Sequence, residues 1–217
     1  MAMLRGFALG IDEVRDIFGA APELAARLRA AAAEAFPAPD PPRRPGLLGW
    51  LGPVLKRDDR LIVDPRRPTR ADVDTLLAGR FCPPERLVPA WDLLTVWLTS
   101  LAFGQATLLA SPDQLSELEF SLARVGLPSP LALGTLLAND PQLPLLPPPG
   151  TSVGYAKHHH VRAVRAALEE RMAELPGTDQ DLLRPFLDAL SGWDEWQAQA
   201  AGLGRPKPDL FVIWQRG

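Results

Sequence analysis

The stretch TDQDLLRPFLDALSGWDEWQAQAAGLGRPKPDLFVIW, Thr178–Trp214, changes its hydrophobic period once, and that change decides the fold. Its first part places Leu182, Leu183, Phe186, Leu187, Leu190, Trp193, Trp196, Ala200 and Ala201 at spacings that gather on one side of a helix. Pro185 and Gly192 interrupt this helix, which predicts a kink or a break with a restart at Ser191, where Asp194 follows three residues on. A polar turn, Gly204-Arg205-Pro206-Lys207-Pro208, separates it from the apolar run Leu210-Phe211-Val212-Ile213-Trp214. A short unbroken apolar run after such a turn reads as a closing strand. It needs a partner, and Met3–Leu9 supplies one, although Gly6 weakens that strand.

Between these ends the periodicity is helical. Asp12 reads as the N-cap of a short helix ending near Gly19, and Pro22 opens a second that runs to about Phe36. Thr69 with Asp72 has the spacing of a capping signal for a helix through Val73, Leu76 and Leu77 that stops at Gly79. Pro84 to Ala102 carries Leu87, Ala90, Trp91, Leu94, Trp97, Leu98 and Leu101 on a helical period. Further helices are expected from Ser111-Pro112 to Gly126, over Ser129–Leu137 and from Lys157 to Leu175, with short strands at Leu61–Val63 and Val153–Ala156. The expected architecture is one helix-dominated α+β domain over residues 1–217, with a small sheet of three or four short strands that includes both chain termini. Proline-rich excursions interrupt it at 37–45 and 141–150.

At 217 residues and 47% apolar content the chain can bury a core without staples. No run approaches the roughly 20 apolar residues of a membrane span. The first residues lack the pattern of a signal peptide, and one cysteine, Cys82, permits no internal disulfide, so a cytoplasmic setting is expected. Heavy Ala, Leu, Arg and Pro use suggests a high-GC bacterial gene. Net charge is −3, which makes no general case for nucleic-acid binding. The charge is uneven, however. Residues 43–70 hold Arg43, Arg44, Lys56, Arg57, Arg60, Arg66, Arg67 and Arg70 against Asp58, Asp59 and Asp64. Such a strip is ordinarily a solvated face, but it is also a surface for an acidic partner or a phosphate. Trp50, Arg57, Arg60, Arg66, Arg67 and Arg70 are therefore the candidate partner-binding residues.

Catalytic signals are sparse. The phosphate-binding loop, the dinucleotide glycine pattern, H-E-x-x-H and C-x-x-C are all absent from the sequence, so no cofactor and no metal are expected. All three histidines are consecutive, His158, His159 and His160. On a helix they point about 100° apart and share no ligand face. Ser152 and Tyr155, the only tyrosine, precede them and make 152–160 the densest polar stretch. A Ser–His pair there would need an orienting acid, and no G-x-S-x-G turn is present. Cys82 has no base near it in sequence and reads as an inert, buried thiol. Trp91, Trp97, Trp193 and Trp196 fall on apolar helical spacing and read as core, whereas Trp50 and Trp214 read as the more exposed pair.

Residues 153–214 present a short strand at Val153-Gly154-Tyr155, a helix with Val161 and Leu168, a helix ending in Ala200-Ala201-Gly202, and a final apolar strand. This order resembles the YfbM-like family of uncharacterised bacterial proteins and their actinobacterial relatives. The turn Arg205–Pro208 is longer and richer in proline than that family's, and residues 37–68 and 141–150 have no counterpart in it. The resemblance implies a small α+β domain with its terminal strands close together, and it carries over no catalytic residues. It also implies a likeness to immunity or accessory proteins found beside bacterial toxins. The expected function is therefore a non-enzymatic protein-binding module, an immunity or antitoxin-like protein whose partner is a toxin. The alternative is an enzyme or small-molecule binder with a pocket around Ser152, Tyr155 and His158 to His160.

Overall fold

The computed structural model describes residues 2–37, 64 and 66–215. Its centre is a four-stranded antiparallel sheet of β1 (Ala2–Leu9), β2 (Gln105–Ala110), β3 (Thr151–Ala156) and β4 (Asp209–Gln215), in the order β2-β1-β4-β3. The two central strands come from opposite ends of the sequence, with Leu4 opposite Trp214 and Phe7 opposite Phe211. Their apolar composition follows from this position. A central strand is covered above and below, and in β4 every residue but Gln215 is buried.

Strand alternation splits the side chains into two cores. Leu4, Ala8, Ala106, Leu108, Ala156, Leu210, Val212 and Trp214 belong to one. It is closed by α5 (Pro112–Arg124), α6 (His158–Arg171), α7 (Gly177–Leu190) and α8 (Trp193–Gly202), with Leu118, Val164, Phe186 and Trp193 packed inward. Phe7, Leu9, Phe211 and Ile213 belong to the other, closed by α1 (Ile11–Arg15), α2 (Pro22–Ala35), α3 (Arg70–Leu77) and α4 (Leu87–Leu101). Each fully buried side chain of this size contributes roughly 1.5–3 kcal/mol. The α+β architecture with both terminal strands in one sheet is thus present, with helices on both faces.

Glycines set two close approaches. The turn Leu133–Leu137 lies over one face of β3, and a Cβ on Gly154 would stand 2.4 Å from the Leu137 carbonyl oxygen. Asn139 pairs with Tyr155 beyond it, so this edge of the sheet is covered. Gly104 lies under the Trp196 indole, which would occupy the place of any side chain there.

Several elements differ from expectation. The closing helix does break, at Ser191-Gly192, but Pro185 stays within α7. Asp12 does not cap α1; the cap is Gly10, whose N–H donates to the Glu13 carboxylate at 2.8 Å. Residues 129–137 form two 3₁₀ turns rather than one helix. Strand β2 was not anticipated: Ala106, Leu108 and Ala110 face inward and Gln105, Thr107 and Leu109 outward, and small inward residues mute the alternation. Trp214, expected near the surface, is 4% exposed because β4 is central. The expected strand at 61–63 and most of the proline-rich segment 37–45 lie outside the described residues. No helix among the described residues is long and apolar enough to cross a membrane.

Candidate functional site

The start of α3 and the start of α4 are held together by one buried carboxylate. Thr69 caps α3 through a capping box: its hydroxyl oxygen accepts from the Asp72 N–H, while the Asp72 carboxylate accepts from the Thr69 N–H at 2.7 Å and from its hydroxyl at 2.6 Å. Arg86, at the cap of α4, adds a fork to the same carboxylate, with Nε 2.9 Å from Oδ1 and Nη2 on Oδ2. Arg86 Nη2 also donates to the Arg67 carbonyl at 3.0 Å, which ties residues 66–69 to α4. Burial opposes charge on Asp72, but the hydrogen bonds from Arg86 and Thr69 outweigh it and hold its carboxyl below the ordinary range. Cys82, between the two helices, is buried, and burial together with the Asp72 charge pushes its thiol up. That suits an inert thiol and not a nucleophile.

Around this anchor, large apolar side chains face solvent. Phe81 is 75% exposed although its neighbour Cys82 is buried in the core. Pro83 and Pro84 follow and stiffen the connection into α4. Val88, in the first turn of α4, is 51% exposed. One turn on, the Trp91 indole N–H donates to the Leu146 carbonyl at 2.8 Å, and the Leu146 side chain is 68% exposed. Of the six exposed large hydrophobics among the described residues, three therefore border the beginning of α4. Solitary exposed apolar residues need no explanation, but a group on one anchored connection is the kind of surface that proteins use for contact.

The predicted basic residues lie beside it. Arg66 and Arg70 are exposed, and neither guanidinium has a hydrogen-bond or ion-pair partner among the described residues. Arg67 is half-buried and donates through Nη2 to the Pro37 carbonyl, so it helps to hold the loop. Arg80, at the far end of α3, is exposed. Trp50, Arg57 and Arg60 lie outside the described residues.

The polar side chains of 152–160 are not gathered on one face. Ser152 pairs with Trp214 and Ala156 with Leu210, so about 13 Å of strand separates Ser152 from the start of α6. Ser152 and Tyr155 also occupy opposite faces of β3, because their separation is odd. A Ser152–histidine pair does not form. The histidines occupy the first turn of α6 and do different things. The His158 backbone N–H donates to Asp209 at 3.3 Å. His159 is exposed and stacks edge-on against His158 at 5.4 Å between ring centres. His160 Nε2 meets the Thr135 hydroxyl at 2.9 Å. Asp209, 4% exposed, also accepts from Lys157 Nζ at 2.9 Å, which raises the lysine. This carboxylate sits where the α6 N-terminus attracts an anion, so the protein fills that position itself. Burial, with His159 and Lys207 nearby, lowers His158.

A second polar knot closes the other side of β4. Arg205 donates from Nε to Glu13 at 2.6 Å and from Nη2 to the Leu101 carbonyl at 2.8 Å, and its guanidinium stands 4.0 Å over the Phe103 ring. It borders an open depression of about 540 Å³ lined also by Ser100, Gln199 and Leu203. The knot satisfies the α4 C-terminus and reads as structural. Sequence reasoning missed Arg205, Asp209, Phe81 and Val88. A proline-flanked arginine was a signal for the first; the others needed the tertiary fold. No cluster of three or more His, Cys, Asp or Glu suited to a metal ion occurs among the described residues. Comparison with protein-family models, curated proteins and solved structures found no match.

Proposed function

We propose that the chain is a protein-binding module without catalytic activity, one that neutralises a partner as an immunity or antitoxin-like protein does, a toxin being the expected partner. The observation that carries this reading is Phe81, held 75% exposed just before a buried cysteine and two prolines, with Val88 exposed in the first turn of α4 and Leu146 exposed beside Trp91. An aromatic side chain presented on a stiff, anchored connection loses little freedom on contact, which favours binding. Two further points support the reading. At 152–160, Ser152 and Tyr155 lie on opposite faces of β3, and His160 is engaged by the Thr135 hydroxyl. The likeness of residues 153–214 to the YfbM-like family also points to an accessory protein.

The test begins with the protein retained by the immobilised chain from the source cells, identified and purified. Calorimetry then compares its binding to the wild type and to Phe81→Ser. The reading expects a stable complex, no turnover of the partner, and at least about tenfold weaker binding for the variant. Equal affinity for both forms, or chemical conversion of the partner, would overturn it.

A further inference from the structure

We propose that the α3–α4 surface receives an acidic segment of a partner protein, with an apolar side chain of that segment seated on Phe81. The inference rests on the protein-binding reading above and adds the chemistry of the partner. Phe81 and Val88 provide an apolar floor. Arg66 and Arg70 provide exposed guanidiniums with no partner among the described residues, and Arg80 stands next to Phe81. Asp72 and Arg86 pair with one another inside the junction, so the Asp72 carboxylate is not directed at the outer guanidiniums. Asp74 is likewise matched, by Arg29.

Asp72, in the first turn of α3, is bonded to Arg86 at the cap of α4, so the Arg70 end of α3 and the connection that carries Phe81 and Val88 belong to one surface. A nucleic acid fits less well. The apolar floor includes an aliphatic side chain instead of a stacking series of aromatic rings.

The experiment displays a random library of 16-residue peptides to the full chain and measures the enriched clones against wild type, Phe81→Ser and the double variant R66E/R70E. These three positions are exposed, so the variants keep the fold, which circular dichroism checks. Expected are clones that combine paired Asp or Glu with Leu, Phe or Trp, each weakened about tenfold by either variant. The charge-reversal effect should shrink as salt rises from roughly 0.05 to 0.5 M. Clones that depend on Phe81 but not on Arg66 and Arg70 would overturn the acidic partner and leave the protein-binding reading standing. An absence of Phe81-dependent clones would overturn both. A labelled single-stranded oligonucleotide that binds wild type and Phe81→Ser but not R66E/R70E would overturn the inference in favour of nucleic acid.

Discussion

Replacing Asp72 by alanine tests whether one carboxylate holds the α3–α4 junction. The substitution removes the acceptor for the Thr69 N–H at 2.7 Å, the Thr69 hydroxyl at 2.6 Å and the Arg86 fork, whose Nε lies at 2.9 Å. Loss of the returning half of the capping box costs about 0.5–1 kcal/mol. Breaking a buried ion pair costs about 3–5 kcal/mol, because the surviving charge is stranded. Arg86 is not fully buried: its side chain is 21% exposed against 9% for Asp72, so it can recover some water, and about 2 kcal/mol is the better figure. The expected loss is therefore about 2.5–3 kcal/mol in urea unfolding. Asp74→Ala is the control, since its pair with Arg29 has side chains 41% and 50% exposed and contributes well under about 1 kcal/mol. The folded state keeps the Asp72 carboxyl below its ordinary 3.8, so its stabilisation is present above that value and is lost as pH falls through the lowered one. The difference between wild type and Asp72→Ala should accordingly narrow on acidification below 3.8. A variant no less stable than Asp74→Ala would refute the reasoning.

Two further substitutions probe the rest of the fold. Gly154→Ala places a Cβ 2.4 Å from the Leu137 carbonyl oxygen and 2.6 Å from its Cα, and backbone cannot rotate away. A loss of about 2–3 kcal/mol or more is expected by thermal unfolding, against under about 0.5 for Gly134→Ala, whose Cβ meets nothing within 4 Å. For His158, burial and the nearby His159 and Lys207 favour the neutral ring, so its contribution is present above its ordinary 6.5 and is lost as pH falls through the lowered value. His158→Gln should flatten the pH dependence of stability just below 6.5, and an NMR titration placing His158 at or above 6.5 would contradict this.

The fold was legible where a strand or helix reported its own burial. Five consecutive apolar residues at 210–214 announced a strand, though not its central place in the sheet, and Thr69 with Asp72 announced a cap, because both signals are local. Strand β2 was not legible, since alanines at 106 and 110 carry little hydrophobic contrast with their outward neighbours. The candidate surface was half legible. Charge density singled out Arg66 and Arg70, but the exposure of Phe81 depends on Cys82 turning into the core, which only packing decides. The histidine run drew attention through composition alone. Its roles, His160 on Thr135 and the α6 N-terminus on Asp209, depend on contacts 25 and 51 residues away in the chain.

The most direct measurement places a photo-crosslinking benzoylphenylalanine at Phe81 and, separately, at Phe120. Both aromatics are exposed, at 75% and 68%, but Phe120 lies on α5 on the opposite face of the sheet. Each protein is irradiated with a tagged acidic peptide, bearing paired glutamates and a leucine, taken from the enriched clones. The account predicts adducts from position 81, suppressed by R66E/R70E, and few from position 120. Equal yields from the two positions, or a yield at 81 that ignores the arginines, would contradict it.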